Sequence, residues 1–382
     1  MTAEDRRRVL GEWSTGVELS DVPGIAELIR RGRSIPGMRT AIRYGAETRT
    51  YGELFGQLDR VAPHATSHGA LVDQLIRATP LLGNRDVAGS AMHTVIAAGH
   101  AVVGAGQAVV SAVQAVVSVG HAVVGAGHPT AGTGHAMAGT RTARLPSFAL
   151  AAAIADRRAV AAEQRCRPRD PALRPADVRL LAAEWDPTET VVELLATLAD
   201  GATLIVATPA QLAEPTALVE LIESHRVTHV VAAPDTVSRI VTAASVLPTV
   251  RRWDMTGTTT VPGLSVQLLA ASVSSVATIS YTAPVYAGAV ARGLLDDTGR
   301  TRPIPGARTL VLDDSRMPVS PNVVGEVYIG GAALGAENSY AAHRFVDDPF
   351  EPAARLFRTG DRASWTPDGW LVVAEPLRRT VA

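Results

Sequence analysis

Apolar runs alternate with helical patterns over residues 146–290, and this alternation restricts the architectures open to the chain. The runs at 203–207, 228–232 and 277–281 are short and rich in Val, Ile and Thr, so they predict buried strands. Strands separated by helices are typical of a mostly parallel sheet covered by helices. We therefore expect an α/β fold in this part of the chain.

The flanking regions predict further subdomains, because 382 residues exceed the size at which one hydrophobic core usually stays single. Residues 1–62 alternate short helical and strand-like pieces and are interpreted as the N-terminal part of a first α/β subdomain, with 146–290 as the second. Residues 291–382 change to short strands with turns, which predict a β-barrel-like subdomain. Residues 63–145 follow neither pattern.

Residues 94–128 form a tandem heptad repeat, TVIAAGH, AVVGAGQ, AVVSAVQ, AVVSVGH and AVVGAGH. In a helix each repeat covers about two turns and the Val pairs form one stripe. In a strand, an odd period would send equivalent residues to opposite faces. A helix is the more coherent interpretation, although Val and Gly are modest helix formers.

Three functions can be attached to this tract. A histidine metal site conflicts with geometry, because positions seven residues apart lie about 10 Å apart along a helix, whereas one ion holds its nitrogen ligands at about 2 Å. A membrane span conflicts with the His or Gln that ends each repeat and with the lack of a flanking Trp or Tyr belt. The pattern favours a low-complexity tract grown by duplication, packed as a weakly amphipathic helix or left loose.

Charge and cysteine content exclude several classes of function. The formal net charge is −1, from 36 basic and 37 acidic residues, so no basic face is indicated and nucleic acid is not an expected partner. All the basic residues are arginines, since the sequence contains no lysine. Cys166 is the single cysteine, which excludes an intramolecular disulfide and fits a reducing cytoplasm. Residues 1–10 are charged, so no signal peptide is expected.

Four stretches in the last third of the chain follow one another in order. They are RPIPGARTLVLDD at 302–314, MPVSPNVVGEVYIGG at 317–331, RFVDDPF at 344–350 and RLFRTGDRASWTPDGWLVV at 355–373. Together they resemble the adenylation domains of nonribosomal peptide synthetases, members of the adenylate-forming (AMP-binding) superfamily. Further similarity occurs in GEWSTG at 11–16, TYGEL at 50–54 and WDPTETVVELLATLADGATLIV at 185–206.

The resemblance implies a fold, a reaction and ligands. In that family a large N-terminal core has two α/β subdomains and a small β-barrel, and a mobile C-terminal lid follows it. ATP and an amino acid react there, with magnesium, to give an aminoacyl adenylate and pyrophosphate. The expected fold class is therefore the α/β adenylate-forming core, with mostly parallel sheets and a β-barrel subdomain. ATP or AMP and an amino acid are the ligands that it implies.

The resemblance assigns nucleotide-binding residues in two motifs. Asp361, which follows Arg358 in the run FRTGD, matches the aspartate that accepts hydrogen bonds from the ribose hydroxyls, a role that suits a carboxylate. The alternative is a turn aspartate after Gly360. Tyr281, in ISYTAPVYAG, matches the tyrosine that packs on adenine. In the same motif Val285 replaces the glutamate that helps to bind magnesium, and a valine offers no lone pair to a hard cation.

The phosphate loop of the family is poorly matched. The nearest stretch is TAGTGHAMAG at 130–139, in which Thr130, Gly132 and Thr133 are candidate remnants that would contact nucleotide phosphates. The loop's lysine is missing, and a Gly- and Thr-rich segment is equally typical of a flexible linker.

Substrate-binding residues are assigned in the run WDPTET. Asp186 matches the aspartate that holds the α-ammonium group of the amino acid, and Pro187 and Thr190 fall on side-chain pocket positions. The same run also indicates a helix start, with Asp186 as N-cap, Pro187 at the first helical position and Glu189 at the third. The two roles can coexist.

The end of the sequence departs from the family. Glu375, Pro376 and Arg378 stand where Gly, Arg and the hinge aspartate are expected, and no lid follows before Ala382. The loop lysine, the lid lysine and the magnesium glutamate are then all missing. Removing one preorganised stabiliser of a transition state typically costs about 2.7–4 kcal/mol. The sequence therefore predicts a degenerate, catalytically inactive relative, and Val285 counts against a magnesium site.

Other hypotheses stay open beside a simple pseudoenzyme. One is an interaction scaffold for another synthetase module or for a small MbtH-like protein. A second is a residual module that binds AMP or an amino acid. A third is an adenylating enzyme completed in trans by a separate lid, and a fourth is a decayed gene product without a selected role.

Overall fold

The computed structural model describes part of the chain. Its described residues are 1–16, 22, 24–61, 147–163, 177–183, 187–244, 246–257, 261–283, 285–296, 298–335 and 342–374. The heptad repeat at 94–128 and the predicted hinge residues from 375 onward lie outside them. Among the described helices, none combines the length and the apolar character that crossing a bilayer requires.

A nine-stranded sheet forms the centre of the described structure. Its strands are β1 (Thr40–Tyr44), β2 (Glu47–Thr50), β3 (Val178–Ala182), β4 (Thr203–Val206), β5 (His229–Ala232), β6 (Arg252–Thr256), β7 (Val276–Thr282), β8 (Ala289–Leu294) and β9 (Arg302–Pro303). Their spatial order is β2-β1-β4-β3-β5-β6-β7-β8-β9. The six neighbouring strands β1, β4, β3, β5, β6 and β7 are parallel to one another. The remaining strands, β2, β8 and β9, pair antiparallel with their neighbours. The three buried strands predicted from the sequence are confirmed as β4, β5 and β7.

Helices cover both faces of this sheet. The α-helices of the described residues are α1 (Ala3–Arg7), α2 (Ile25–Arg33), α3 (Tyr51–Val61), α4 (Ser147–Glu163), α5 (Pro187–Asp200), α6 (Pro209–Ala213), α7 (Pro215–Ser224), α8 (Pro234–Ala243) and α9 (Leu264–Ala271). Apolar residues of α2 to α5 pack with Leu181 and Val231 on one face. Those of α7 to α9 pack with Leu180 and Val230 on the other. Because neighbouring residues of a strand point to opposite faces, continuous apolar runs are buried on both sides.

A second, antiparallel sheet follows the first. Its strands are β10 (Ala307–Leu312), β11 (Gly325–Gly331), β12 (Phe345–Asp347), β13 (Arg355–Trp365) and β14 (Leu371–Val373). They lie in the order β10-β11-β13-β12, with β14 also paired to β13. One hydrophobic core joins Tyr281 and Val285 to Phe357 and Trp365 of this sheet. The predicted fold class, an α/β core with a mostly parallel sheet and a smaller β part, is confirmed.

The predicted subdomain boundaries stay a prediction. Strands from the ranges 1–62 and 146–290 lie side by side in the large sheet, where β1 pairs with β4. The edge strand β9 comes from the range 291–382. The large sheet is therefore built from three of the four predicted regions.

Candidate functional site

Two of the predicted nucleotide-binding residues meet where the two sheets adjoin. Tyr281 lies near the carboxyl end of β7, and Asp361 lies in β13. The Tyr281 hydroxyl donates a hydrogen bond to Oδ2 of Asp361 at 2.7 Å, although the two residues are 80 positions apart in the chain. Tyr281 is 2% exposed, whereas Asp361 is half-buried and keeps contact with solvent. The structure therefore brings together two residues that the resemblance assigns to one ligand.

A bulge in β13 presents the Asp361 carboxylate. Glu326 of β11 pairs with Arg362, and Tyr328 pairs with Arg358. The residues of β13 between these pairs, 359–361, therefore stand opposite a single residue of β11. At their centre Gly360 has a φ of +80°, a backbone conformation that glycine adopts without steric cost. Bulges of this kind bend a strand and change the direction of a side chain.

Thr359 stabilises the shape of this bulge. Its hydroxyl donates to the carbonyl oxygen of Val327 at 2.8 Å and accepts a hydrogen bond from the backbone N–H of Asp361 at 3.1 Å. A hydroxyl group can act as donor and acceptor at once. Because a buried backbone group without a partner is costly, this side chain compensates for ladder hydrogen bonds that the bulge removes.

Tyr281 is a neutral hydrogen-bond donor at physiological pH. Burial raises the pKa of its phenol well above the ordinary value of 10.0, and the negative charge of Asp361 raises it further. Within the described residues, Tyr281 is the one side chain that hydrogen-bonds to the Asp361 carboxylate. An ionised carboxylate has about four acceptor positions. Asp361 therefore retains capacity for further donors, such as the two hydroxyls of a ribose.

The Arg358 side chain forms an ion pair with Glu326. Its Nε bonds to Oε1 of Glu326 on β11 at 2.8 Å, and its side chain is 55% exposed. The hydrogen bond that Arg358 donates to Glu326 and the charge of that carboxylate raise the pKa of Arg358. Its predicted contact with a nucleotide stays a prediction.

The helix start predicted in the run WDPTET is confirmed, because α5 begins at Pro187. Thr190, in the first turn of α5, is buried at 3% exposure. Asp186 lies outside the described residues, so the predicted amino-acid contact of these three residues stays a prediction. The candidate phosphate-loop residues, Thr130, Gly132 and Thr133, also lie outside them.

Val285 occupies the position that the resemblance assigns to a magnesium-binding glutamate. It is 4% exposed and belongs to the hydrophobic core. Its carbonyl oxygen accepts the N–H of Gly335 at 2.7 Å, which holds the turn after β7 in place. Magnesium requires oxygen ligands, and a valine side chain has none. The described residues contain no group of three His, Cys, Asp or Glu side chains able to hold a metal ion.

A small cavity lies beside the Tyr281 ring. Its volume is about 20 Å³, and it is lined by Gly257, Ile279, Tyr281, Thr298, Gly299, Thr301 and Val373. A space of this size holds about one water molecule, whereas pockets for small ligands usually measure about 300–1,000 Å³. A nucleoside can therefore enter beside Tyr281 only if the lining segments move apart.

Arg344 was not singled out from the sequence, although it begins the run RFVDDPF. Its Nε donates to the carbonyl oxygen of Arg358 at 2.8 Å, and a second guanidinium nitrogen bonds to the carbonyl oxygen of Thr359. Its position in a run shared with the adenylation family was the one available signal. The contacts themselves depend on the bulge, which no sequence pattern indicates.

Comparisons with known proteins agree with this fold. The sequence profile of the AMP-binding enzyme family matches residues 157–337. A dimodular nonribosomal peptide synthase of Bacillus subtilis is 33% identical over 190 residues, which are 48% of this chain and 8% of that protein. Indigoidine synthase of Dickeya dadantii is 42% identical over 74 residues, which are 18% of this chain and 5% of that protein.

Solved structures share the architecture. The nonribosomal peptide synthetase FmoA3 matches with a TM-score of 0.67 at 18% identity, over 97% of this chain and 44% of that chain. The N-terminal subdomain of NpsA from Klebsiella oxytoca matches with a TM-score of 0.58 at 15% identity, over 98% of this chain and 100% of that chain. The fold and the family profile together define an AMP-binding domain of the adenylate-forming class.

Within that class, the relatives that this chain resembles include nonribosomal peptide synthetases, and the structures that share its fold include their adenylation domains. The chain spans 8% of the length of the Bacillus subtilis relative and 5% of the Dickeya dadantii relative. The resemblance found in the ordered motifs of the last third is thereby confirmed.

Proposed function

We propose that this chain binds an adenine ribonucleotide at Tyr281 and Asp361 and does not by itself form an aminoacyl adenylate. The observation that carries this proposal is the 2.7 Å hydrogen bond between the Tyr281 hydroxyl and the Asp361 carboxylate. FmoA3 has been solved with AMPPNP and with α-methyl-L-serine-AMP, which supports an adenine nucleotide as the ligand class.

The two residues have different parts in the proposed binding. The Asp361 carboxylate accepts hydrogen bonds from the ribose hydroxyls, and such bonds are strengthened by its charge. The Tyr281 ring offers a flat apolar surface next to the cavity of about 20 Å³. Binding therefore requires the residues that line the cavity to move apart. In this proposal the described residues bind the sugar and not the phosphates.

The proposed inactivity is supported by the chemistry of adenylation. ATP and an amino acid would have to be converted into an aminoacyl adenylate and pyrophosphate, which builds up negative charge on the reacting oxygens. Val285 provides no magnesium ligand, and the 382 residues contain no lysine. Arginine's planar guanidinium is not equivalent to a compact ammonium group. Each missing stabiliser costs about 10²–10³ in rate.

The relatives suggest partners for such a domain. One is a dimodular synthase, and an artificially fused adenylation–PCP di-domain of NpsA and ThdA has the same fold. We extend the proposal to an amino acid as second ligand, to another synthetase module or an MbtH-like protein as partner, and to the cytoplasm as location.

Two measurements on the purified chain test this proposal. Isothermal titration with AMP should show binding that is at least about tenfold weaker in Asp361→Asn, because hydrogen bonds to a charged group contribute about 1.5–3 kcal/mol. Asp347→Asn is the matched control, because the Asp347 side chain is 87% exposed on β12. ATP–pyrophosphate exchange should stay at background with every common amino acid.

The two halves of the proposal fail separately. Wild-type protein that does not bind AMP would overturn the nucleotide site and favour the interaction scaffold. Pyrophosphate exchange above background with any amino acid would overturn the inactivity.

A further inference from the structure

One arginine from outside β13 bonds to two backbone carbonyl oxygens at the bulge in that strand. Arg344 ends the short 3₁₀ turn Ala342–Arg344 that leads into β12. Its Nε donates to the carbonyl oxygen of Arg358 at 2.8 Å, and Nη2 bonds to the carbonyl oxygen of Thr359. A planar guanidinium is suited to two acceptors at once, because its N–H groups form a rigid fork.

An aromatic pair fixes the plane of this guanidinium. The Cζ atom of Arg344 lies 4.5 Å from the centre of the Phe357 ring. Phe357 is 1% exposed and packs edge-on against Phe345, with ring centres 5.2 Å apart. A cation over a buried aromatic face is attracted by the ring electrons. The contact therefore restricts Arg344 to an orientation in which its guanidinium also bonds to the carbonyl oxygens of Arg358 and Thr359.

The guanidinium also lies within the electrostatic field of the candidate site. Partial burial lowers the pKa of Arg344, and the negative charge of Asp361 opposes this change. A side chain at position 360 would meet this guanidinium, since its Cβ atom would lie 3.4 Å from Nη2 of Arg344. Arg344 thus borders the residue that precedes Asp361.

We propose that Arg344 is a positioning residue that holds residues 358–361 in the shape that places Asp361 against Tyr281. For nucleotide affinity this inference depends on the proposed function, whereas for the geometry of the Tyr281–Asp361 contact it does not. The bulge stays formed because Arg344 donates to the carbonyl oxygens of Arg358 and Thr359. The Thr359 hydroxyl in turn bonds to the carbonyl oxygen of Val327 and to the N–H of Asp361. Loss of Arg344 releases those carbonyls and lets Asp361 turn away from the tyrosine.

A spectroscopic measurement separates positioning from a general contribution to stability. In protein labelled with ¹³C at the tyrosine Cζ atom, the chemical shift reports the hydrogen bond of each hydroxyl group. The chain has six tyrosines, and the variant Tyr281→Phe identifies the signal of interest. In Arg344→Ala the Tyr281 signal should move while the other signals stay in place. Arg344→Lys, which keeps a charged donor group but lacks the planar fork, should give a smaller movement.

Arg355→Ala is the matched control. Arg355 lies on the same strand, and its ion pair with Asp347 is at the surface, with side chains 43% and 87% exposed. This variant should leave the Tyr281 signal unchanged. In parallel, the dissociation constant for AMP should rise about tenfold in Arg344→Ala and stay unchanged in Arg355→Ala.

The outcomes distinguish this inference from the proposed function. A folded Arg344→Ala variant with an unmoved Tyr281 signal would overturn the positioning role. If Arg344→Ala does not fold, as judged by circular dichroism, the Tyr281 signal of Arg344→Lys decides in the same way. Absence of AMP binding in the wild type would contradict the proposed function, and the Tyr281 signal would still decide the role of Arg344.

Discussion

The two ends of the parallel strands in the large sheet differ in the polar side chains that they carry. At the amino ends, Arg179 of β3 stands beside His229 of β5, and His229 stands beside Arg252 of β6. All three side chains are buried. At the carboxyl end of β7, Tyr281 contacts a half-buried carboxylate, and Val285 follows in the apolar core. The amino ends of β3, β5 and β6 thus carry a row of buried polar side chains.

The charges at the amino ends are paired. Arg179 bonds to Asp200 of α5 at 2.6 Å. Arg252 bonds to Asp254 at 2.7 Å, and Thr278 adds a hydrogen bond to the same carboxylate at 2.7 Å. Burial by itself would raise the pKa of Asp254, but the charge and hydrogen bond of Arg252 lower it below its ordinary value.

This difference shows which charged groups a diverging domain can lose. Removing one member of a buried ion pair leaves its partner unpaired, so such pairs are costly to change one residue at a time. An apolar residue at position 285 leaves no partner behind, because it joins a core that is already apolar. The buried ion pairs Arg179–Asp200 and Arg252–Asp254 are thus explained by packing.

The largest expected effect comes from breaking the buried pair on β6. Asp254→Ala leaves the Arg252 guanidinium buried without its carboxylate, and the free energy of unfolding should fall by about 3–5 kcal/mol. Urea unfolding followed by circular dichroism measures this change. Asp347→Ala is the control, since its pair with Arg355 is exposed and should contribute less than about 1 kcal/mol. Similar losses in both variants would remove the distinction between buried and surface pairs.

The next effect tests the carboxyl end. Val285→Glu restores the acid that the resemblance expects, but it places a carboxylate in an apolar core, and the free energy of unfolding should fall by about 3 kcal/mol. Val324→Glu makes the same change at a valine that is 46% exposed, and it should alter stability by less than about 0.5 kcal/mol. A Val285→Glu protein as stable as wild type, with a melting temperature raised further by magnesium, would show that a metal site can still form.

The smallest effect is a pH dependence that arises at the amino ends. Burial lowers the pKa of His229 from 6.5 to about 4; Asp177 and Asp254 oppose this change, and Arg179 and Arg251 add to it. The unfolded chain therefore binds more protons than the folded chain between these values, so stability falls as pH decreases through this window. From pH 6.5 to about 5 the expected loss is about 2 kcal/mol.

Urea unfolding at several pH values measures this dependence, and His229→Leu is the variant that isolates it. The wild type should lose more stability than His229→Leu between pH 6.5 and about 5. Parallel curves for the two proteins would mean that His229 is protonated in the folded state as readily as in the unfolded chain.

Much of the fold could be predicted from local sequence pattern. The strands β4, β5 and β7 and the start of α5 at Pro187 were all indicated by short apolar runs or by helix-start residues. These signals are local, because burial on both faces and a first helical turn depend on consecutive residues. The joining of β1 and β2 to the same sheet was not indicated, since it depends on contacts between distant segments.

The candidate site divides in the same way. The sequence alone determined the residue types, namely a tyrosine and an aspartate in family motifs, a valine at the magnesium position and no lysine anywhere. Only the tertiary structure decided that Tyr281 and Asp361 touch, that a bulge turns the carboxylate toward the tyrosine, and that Arg344 holds the bulge. Residue identity is fixed by covalent order, whereas hydrogen-bond partners are selected by packing between two sheets whose strands lie far apart in the chain.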